Sequence, residues 1–296
     1  DLDSLIPKLQ AAALFNPANN IPLIDRYSQD EKTLAGYLMA TAELGPVTLV
    51  GGVRVEHYVL DNAGTARIGS VFTPLTVRRS YTDFFPSLNA RIALGENWVV
   101  RLGAQRGVSR PAYGAIRVGS SINDTSSPGT IGGGNPGLLP EYTWGADASV
   151  EWYLPGNGIV AVSGFHRWVD NVFYQNTQAV GSDVFNSGAI DRSAYLLSST
   201  FNGTNGKLYG IELNYQQKFT FLPSPLDGFG FQGNLTFLEG SFDTQLVGGI
   251  QRTGVPFLGL SDTIANASLY YEKYGFSARI SYQWRSDWFD SLGGFG

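Results

Sequence analysis

The sequence predicts an all-β chain: an antiparallel transmembrane β-barrel that is incomplete, with about ten strands of a larger barrel. Three observations predict it. Strand-period alternation recurs along nearly the whole chain, with one apolar face per strand. Connections alternate short and long, so consecutive antiparallel strands collect the short turns on one side and the long loops on the other. Charges keep to the face opposite the apolar set: Arg54, Glu56, Arg91, Arg101, Asp147, Glu151, Glu212 and Arg279. Facing lipid at mid-depth, an Arg or Lys costs about 2–4 kcal/mol; facing a wet lumen it costs little. A soluble sandwich or solenoid also alternates, but has no reason to sort its loops by length.

Composition narrows the class. Charged residues are 15% of 296, below the usual quarter, with 13% aromatics and 37 glycines. A net charge of −5 does not suggest a nucleic-acid partner. The absence of cysteine excludes a disulfide framework and a thiolate metal site, and is compatible with an oxidising compartment. No apolar run reaches about 18 residues, which argues against a transmembrane helix. Mean hydropathy is near zero, because lumen-facing polar residues dilute lipid-facing ones along each strand of a barrel. The chain opens on Asp1-Leu-Asp-Ser4 with no signal peptide, as a mature exported protein or a fragment would.

Taken in order, residues 1–27 predict a leading loop with a short amphipathic helix from Leu5 to Phe15, and residues 28–296 the partial barrel. Lys32 to Leu44 is a strand, with Leu34, Leu38, Ala40, Ala42 and Leu44 on one face. Gly45-Pro46 turns it into Val47 to Leu60, where Val47, Leu49, Val53, Val55, His57 and Val59 share a face. A long connection is expected from Asp61 to about Arg79, then a strand from Tyr81 to Leu94, a short turn at Gly95-Glu-Asn97 and a return strand from Trp98. Pro111 to Pro140 is long and polar. The next strand has the clearest pattern: Tyr142, Trp144, Ala146, Ala148, Val150, Trp152 and Leu154 oppose Thr143, Gly145, Asp147, Ser149, Glu151 and Tyr153. Its aromatics sit at both ends, the layout of interfacial girdles. After Pro155-Gly-Asn-Gly158, Ile159 to Tyr174 is a strand of ambiguous facing, since Val160 and Val162 compete with Ile159, Ala161 and Phe165. Asn176 to Gly206 is long. Lys207 to Phe221 places Tyr209, Ile211, Leu213, Tyr215, Phe219 and Phe221 on one face, and Phe229 to Phe237 returns. Glu239 to Ser261 is long again. Ala265 to Tyr271 and Phe276 to Trp284 form a last hairpin about Lys273-Tyr-Gly275.

Ser109-Arg-Pro111 after the Trp98 strand, followed by Gly134-Asn-Pro-Gly-Leu-Leu-Pro140-Glu141 and an aromatic-ended strand, resembles the TonB-dependent receptors of Gram-negative outer membranes. Phe84-Phe-Pro-Ser-Leu-Asn89, Tyr209-Gly-Ile-Glu-Leu213 and the run from Tyr271-Glu272 to Tyr282-Gln-Trp-Arg285 look like further landmarks of that family, in its order, over about residues 28–290. The style is closest to the Xanthomonas/Caulobacter-type group. The resemblance implies a location in the outer membrane, a 22-stranded barrel plugged by an N-terminal domain, and active import powered by the TonB-ExbB-ExbD complex acting on the plug. No plug domain, TonB box or closing strands are evident, so the chain is read as a fragment lacking both ends, with open edges and no transport of its own.

Enzymatic chemistry finds little footing. His57 and His166 are the sole histidines, and no zinc or Gly-x-Ser-x-Gly motif occurs. Gly132-Gly-Gly134 lacks the Lys-Ser/Thr and helix of a phosphate loop. Asp147 and Glu151, on one face, are expected to meet Arg partners on neighbouring strands. No cofactor or metal and no catalysis are therefore expected. Within the resemblance, candidate ligand contacts are Tyr113, Arg117, Trp168, Tyr174, Tyr195 and Phe242, as aromatic faces suit sugar rings or aromatic chelators and Arg suits anions. Interfacial anchoring by Trp and Tyr is the competing reading. The leading expectation is oligosaccharide import. The alternatives are iron-siderophore import by the same mechanism, a passive porin or structural barrel, and last a barrel-borne enzyme.

Overall fold

The computed structural model describes residues 7–8, 25–68, 71–183, 185–186, 189–245 and 251–290. The proposed helix from Leu5 to Phe15 falls almost entirely outside them. The strands are β1 (Tyr27–Leu44), β2 (Val47–Ile68), β3 (Val71–Leu94), β4 (Trp98–Ser109), β5 (Ser120–Asn123), β6 (Thr130–Gly133), β7 (Glu141–Leu154), β8 (Gly158–Asp170), β9 (Val172–Ala179), β10 (Leu196–Lys218), β11 (Phe229–Gln245), β12 (Gln251–Pro256), β13 (Thr263–Lys273) and β14 (Phe276–Arg285). One helical turn, α1 (Tyr113–Ile116), follows β4.

Ten strands lie side by side in the order β1-β2-β3-β4-β7-β8-β10-β11-β13-β14. Neighbours are antiparallel throughout. Among the described residues β1 and β14 do not pair, so the sheet is open, as expected of part of a larger barrel. Register carries one face from strand to strand. Val150 lies beside Val100 and Val162, Leu213 beside Val162 and Leu235, and Leu269 beside Phe231 and Ile280. This also settles β8: Val160 and Val162 face outward with Trp152 and Val150, and Phe165 faces inward with Asp147.

The outward face leaves large apolar side chains uncovered, including Leu38, Ile280 and Tyr282 at 76%, 73% and 65% exposure. An apolar surface this continuous needs lipid against it. Aromatic pairs mark its borders. Trp98 stacks on Trp152 at 5.3 Å near the turns, and Trp144 lies opposite Trp168 near the loops. From Trp144 to Trp152 at roughly 3.3 Å per residue is about 26 Å, the height of an outer-membrane apolar band of about 25 Å. Lys207 extends the upper row beside Trp168, where polar headgroups begin.

The loop side differs from expectation. No long loop follows Asp61: β2 runs to Ile68 and β3 starts at Val71, paired throughout. Pro74 is tolerated there because β4 pairs β3 only from Ser87 to Leu94, which leaves β3 an edge strand above. The other long connections carry strands of their own. β6 runs parallel to β10 at Leu196–Ser198, β9 pairs antiparallel with β10, and β12 extends β11. In place of a strand through Tyr174, Asn171 (φ 59°) turns the chain between β8 and β9. Asn tolerates that left-handed conformation because its short amide bonds locally. Phe219 and Phe221, expected in a strand, belong to the turn after β10.

Apolar cores accordingly lie on the loop side. Tyr58, Leu60, Ile116 and Leu138 form one, and Val169, Val172, Tyr174 and Phe242 the other. The first joins α1 and the end of the 110–140 excursion to the inner face of β2. The second joins β8 and β9 to β11.

Candidate functional site: the lumen face and its mouth

Alternation places the polar residues of the wall on its concave side. A recess of about 690 Å³ lies there, with Asn89, Arg101, Gln105, Asp147, Arg167 and Glu212 among its lining. Arg101, Asp147 and Arg167 are paired across strands. Arg101 grips Glu151 through Nε (2.6 Å) and Nη2 (3.3 Å), and the Tyr153 hydroxyl donates to the same carboxylate. Arg167 Nη2 donates to Asp147 Oδ1 at 2.6 Å, and its Nη1 to the carbonyls of Ala146 and His166. The expected Arg partners of Asp147 and Glu151 on neighbouring strands are thus present. Gly145 makes room for one of them, since a Cβ there would sit 3.1 Å from Arg167 Cδ.

Toward the mouth the inner face becomes aromatic and cationic. The Arg110 guanidinium lies 4.3 Å over the Tyr58 ring, with Nη2 3.7 Å from Glu56. Tyr58 stacks on Tyr81, and Arg79 donates to the Pro136 carbonyl. Above Ser87 and Gln105, where β3–β4 pairing ends, Arg106 fills the seam. It donates to the Phe84 carbonyl and covers the Tyr142 ring at 4.5 Å. Burial, then the bond to Asp83, push the Tyr142 phenol to about 12. Burial also raises the Glu141 carboxyl, partly offset by the Phe173 N–H it accepts. Both lie on the loop side of Trp144.

The six sequence candidates separate into four places. Tyr113, in α1, donates its hydroxyl to Glu31, which raises its phenol, and Arg117 just beyond pairs with Asp25 at 3.2 Å. Tyr174 and Phe242 meet in the second core at 5.7 Å, 4% and 2% exposed, packed with Phe201 and Phe257. Tyr195 sits beside a buried clip in which Arg192 holds Asp124 through Nε and Nη2. Trp168 faces outward, stacked on His166 at 4.0 Å. His57 also faces outward, bonded to Thr82. The structure therefore places Tyr113 and Arg117 at the two ends of α1 and Tyr174 with Phe242, and keeps Trp168 and Tyr195 each apart. Tyr58, Tyr81, Arg79 and Arg110 lie outside the six sequence candidates; the Ser109-Arg-Pro111 landmark is the sequence signal for Arg110. No group of three or more metal-ligating side chains occurs among the described residues.

Comparison with known proteins identifies the architecture. A sequence comparison with curated proteins returns no match. Solved structures share the fold at low identity. They include the hemophore receptor HasR of Serratia marcescens, determined with HasA and heme (14% identity, TM-score 0.66, 89% of this chain and 44% of that one). The copper transporter OprC gives 14%, 0.61, 90% and 36%. The ferric enterobactin receptor PfeA of Pseudomonas aeruginosa gives 17%, 0.56, 88% and 41%. The chain thus spans less than half the length of each. The family profile described as TonB dependent receptor-like, beta-barrel, matches residues 6–295. With an open antiparallel wall, an apolar belt between tryptophan rows and a polar lumen face, the chain belongs to the TonB-dependent receptor β-barrel family and is a protein of the Gram-negative outer membrane.

Proposed function

We propose that this wall serves TonB-dependent import of a scarce, metal-bearing ligand of the iron-siderophore class, with no bond chemistry. Family membership over nearly the whole chain is the observation that carries it. Energy comes from the TonB-ExbB-ExbD complex through a plug in the lumen. The structural neighbours are named for iron chelate, heme and copper. None of these three is named for a carbohydrate, so they lend the oligosaccharide expectation no support.

Growth of a deletion strain tests this. Loss of growth on ferric siderophores in iron-starved medium, restored by the gene and dependent on TonB, is the expected result. A defect confined to oligosaccharides as carbon source reverses the ligand class. Normal growth on both removes both ligands.

A further inference from the structure

Import as proposed gives no task to the segment Asn135-Pro-Gly-Leu-Leu-Pro-Glu141. In the structure nearly every residue of it is bonded to a different element. The Asn135 N–H donates to the Ala115 carbonyl of α1 at 2.6 Å, and its side-chain amide to the Thr200 carbonyl of β10 at 3.1 Å. Its Oδ1 accepts the Gly137 N–H, which closes a local turn. The Pro136 carbonyl accepts from Arg79 of β3. Leu138 is 3% exposed in the core with Tyr58, Leu60 and Ile116. Asn202 of β10 treats Leu139 as a strand would: its Oδ1 accepts the Leu139 N–H (2.9 Å) and its Nδ2 donates to the Leu139 carbonyl (3.1 Å). The same Nδ2 also reaches the Asn171 carbonyl, and Asn171 Nδ2 donates to the Pro140 carbonyl. The Glu141 carboxylate accepts the Phe173 N–H of β9.

We propose that residues 135–141 are a keystone that joins the loop-side excursion they close, 110–140, to the turn and strand at 171–179 and the upper half of β10, in one rigid buttress anchored on the inner face of β2. The physical reason is the accounting of backbone groups. A non-strand segment packed against apolar side chains must find partners for its N–H and C=O groups, and each one left unpaired costs free energy. Asn171 and Asn202 supply such partners from outside the segment, and Asn135 supplies one from within it. Separating these parts would therefore break several bonds at once and strip Leu138 from its core. The buttress consequently behaves as a unit, and any closure of the mouth falls to other parts of the barrel. This inference rests on the fold and is independent of the ligand.

Hydrogen exchange on the protein, in detergent and in outer-membrane vesicles, tests it. In the parent, amides of 135–141 and 172–179 exchange slowly and at matching rates. Asn202→Ala accelerates both stretches at least tenfold and leaves 145–152 unchanged. Asn202→Asp, which keeps the acceptor for Leu139 N–H and loses the donated bonds, falls between. Acceleration confined to β10, or none, overturns the proposal. Because the chain has no cysteine, spin labels at Ala112→Cys and Ala179→Cys give a second reading. One narrow distance distribution in the parent that broadens with Asn202→Ala supports the buttress. A broad distribution in the parent refutes it, whatever the variants do.

Discussion

The wall and the loop-side buttress are built from the same strands but obey opposite rules. Between the tryptophan rows, apolar side chains point away from the protein and polar ones toward its interior. Beyond the upper row the protein buries apolar groups within itself, as in the cores around Tyr58 and Tyr174. β10 crosses the boundary within one strand. Its lower half pairs β8 and β11 in the wall, and its upper half pairs β6 and β9 in the buttress. The lesson is that solvent, more than secondary structure, decides which face is the stable one. Lipid supplies the apolar contact for Leu213 that Phe242 must obtain from Tyr174 and Phe257.

That contrast can be broken by substitution. Phe242→Ala should cost about 3–5 kcal/mol of buttress stability, since a nearly inaccessible ring leaves a cavity. Hydrogen exchange of 172–179 and 200–203 should read it, while the wall keeps its protection. Leu213→Arg, facing lipid, should cost about 2–4 kcal/mol in denaturant titration of the barrel in phospholipid vesicles. Asn214→Arg, one residue on and facing the lumen, should cost far less. Equal costs would sink the assignment of faces. Glu151→Gln should change stability by less than about 1 kcal/mol, because its Arg101 partner is half exposed to a wet lumen. A larger loss would mean that this part of the lumen is dry.

The smallest expected effect is a pH dependence in the buttress. The Glu141 carboxyl is raised above its ordinary value by burial. The folded state therefore holds the proton more tightly than the unfolded one. The stability this contributes is full below about 4.5, the ordinary glutamate value, and is lost as pH rises through the raised value. Exchange rates of 135–141 measured across that window should show it, and Glu141→Gln should flatten the profile.

Alternation alone determined the ten wall strands, the inward and outward faces of all but β8, and the expectation that Asp147 and Glu151 meet arginines. A period of two maps directly onto the two sides of a sheet, and lipid on one side makes the pattern strict. It failed at Val160 and Val162, where both faces carry apolar residues and register with β7 was needed to choose. It failed more widely above the upper tryptophan row. There β5, β6 and the extension of β10 are rich in Gly, Ser and Asn, residues that favour turns. What makes them strands is partners distant in the chain: β6 on β10, Asn135 on Thr200, Asn202 on Leu139. Local sequence reports a preference for the nearest solvent, whereas bonds between segments some sixty residues apart exist only once the fold has brought them together.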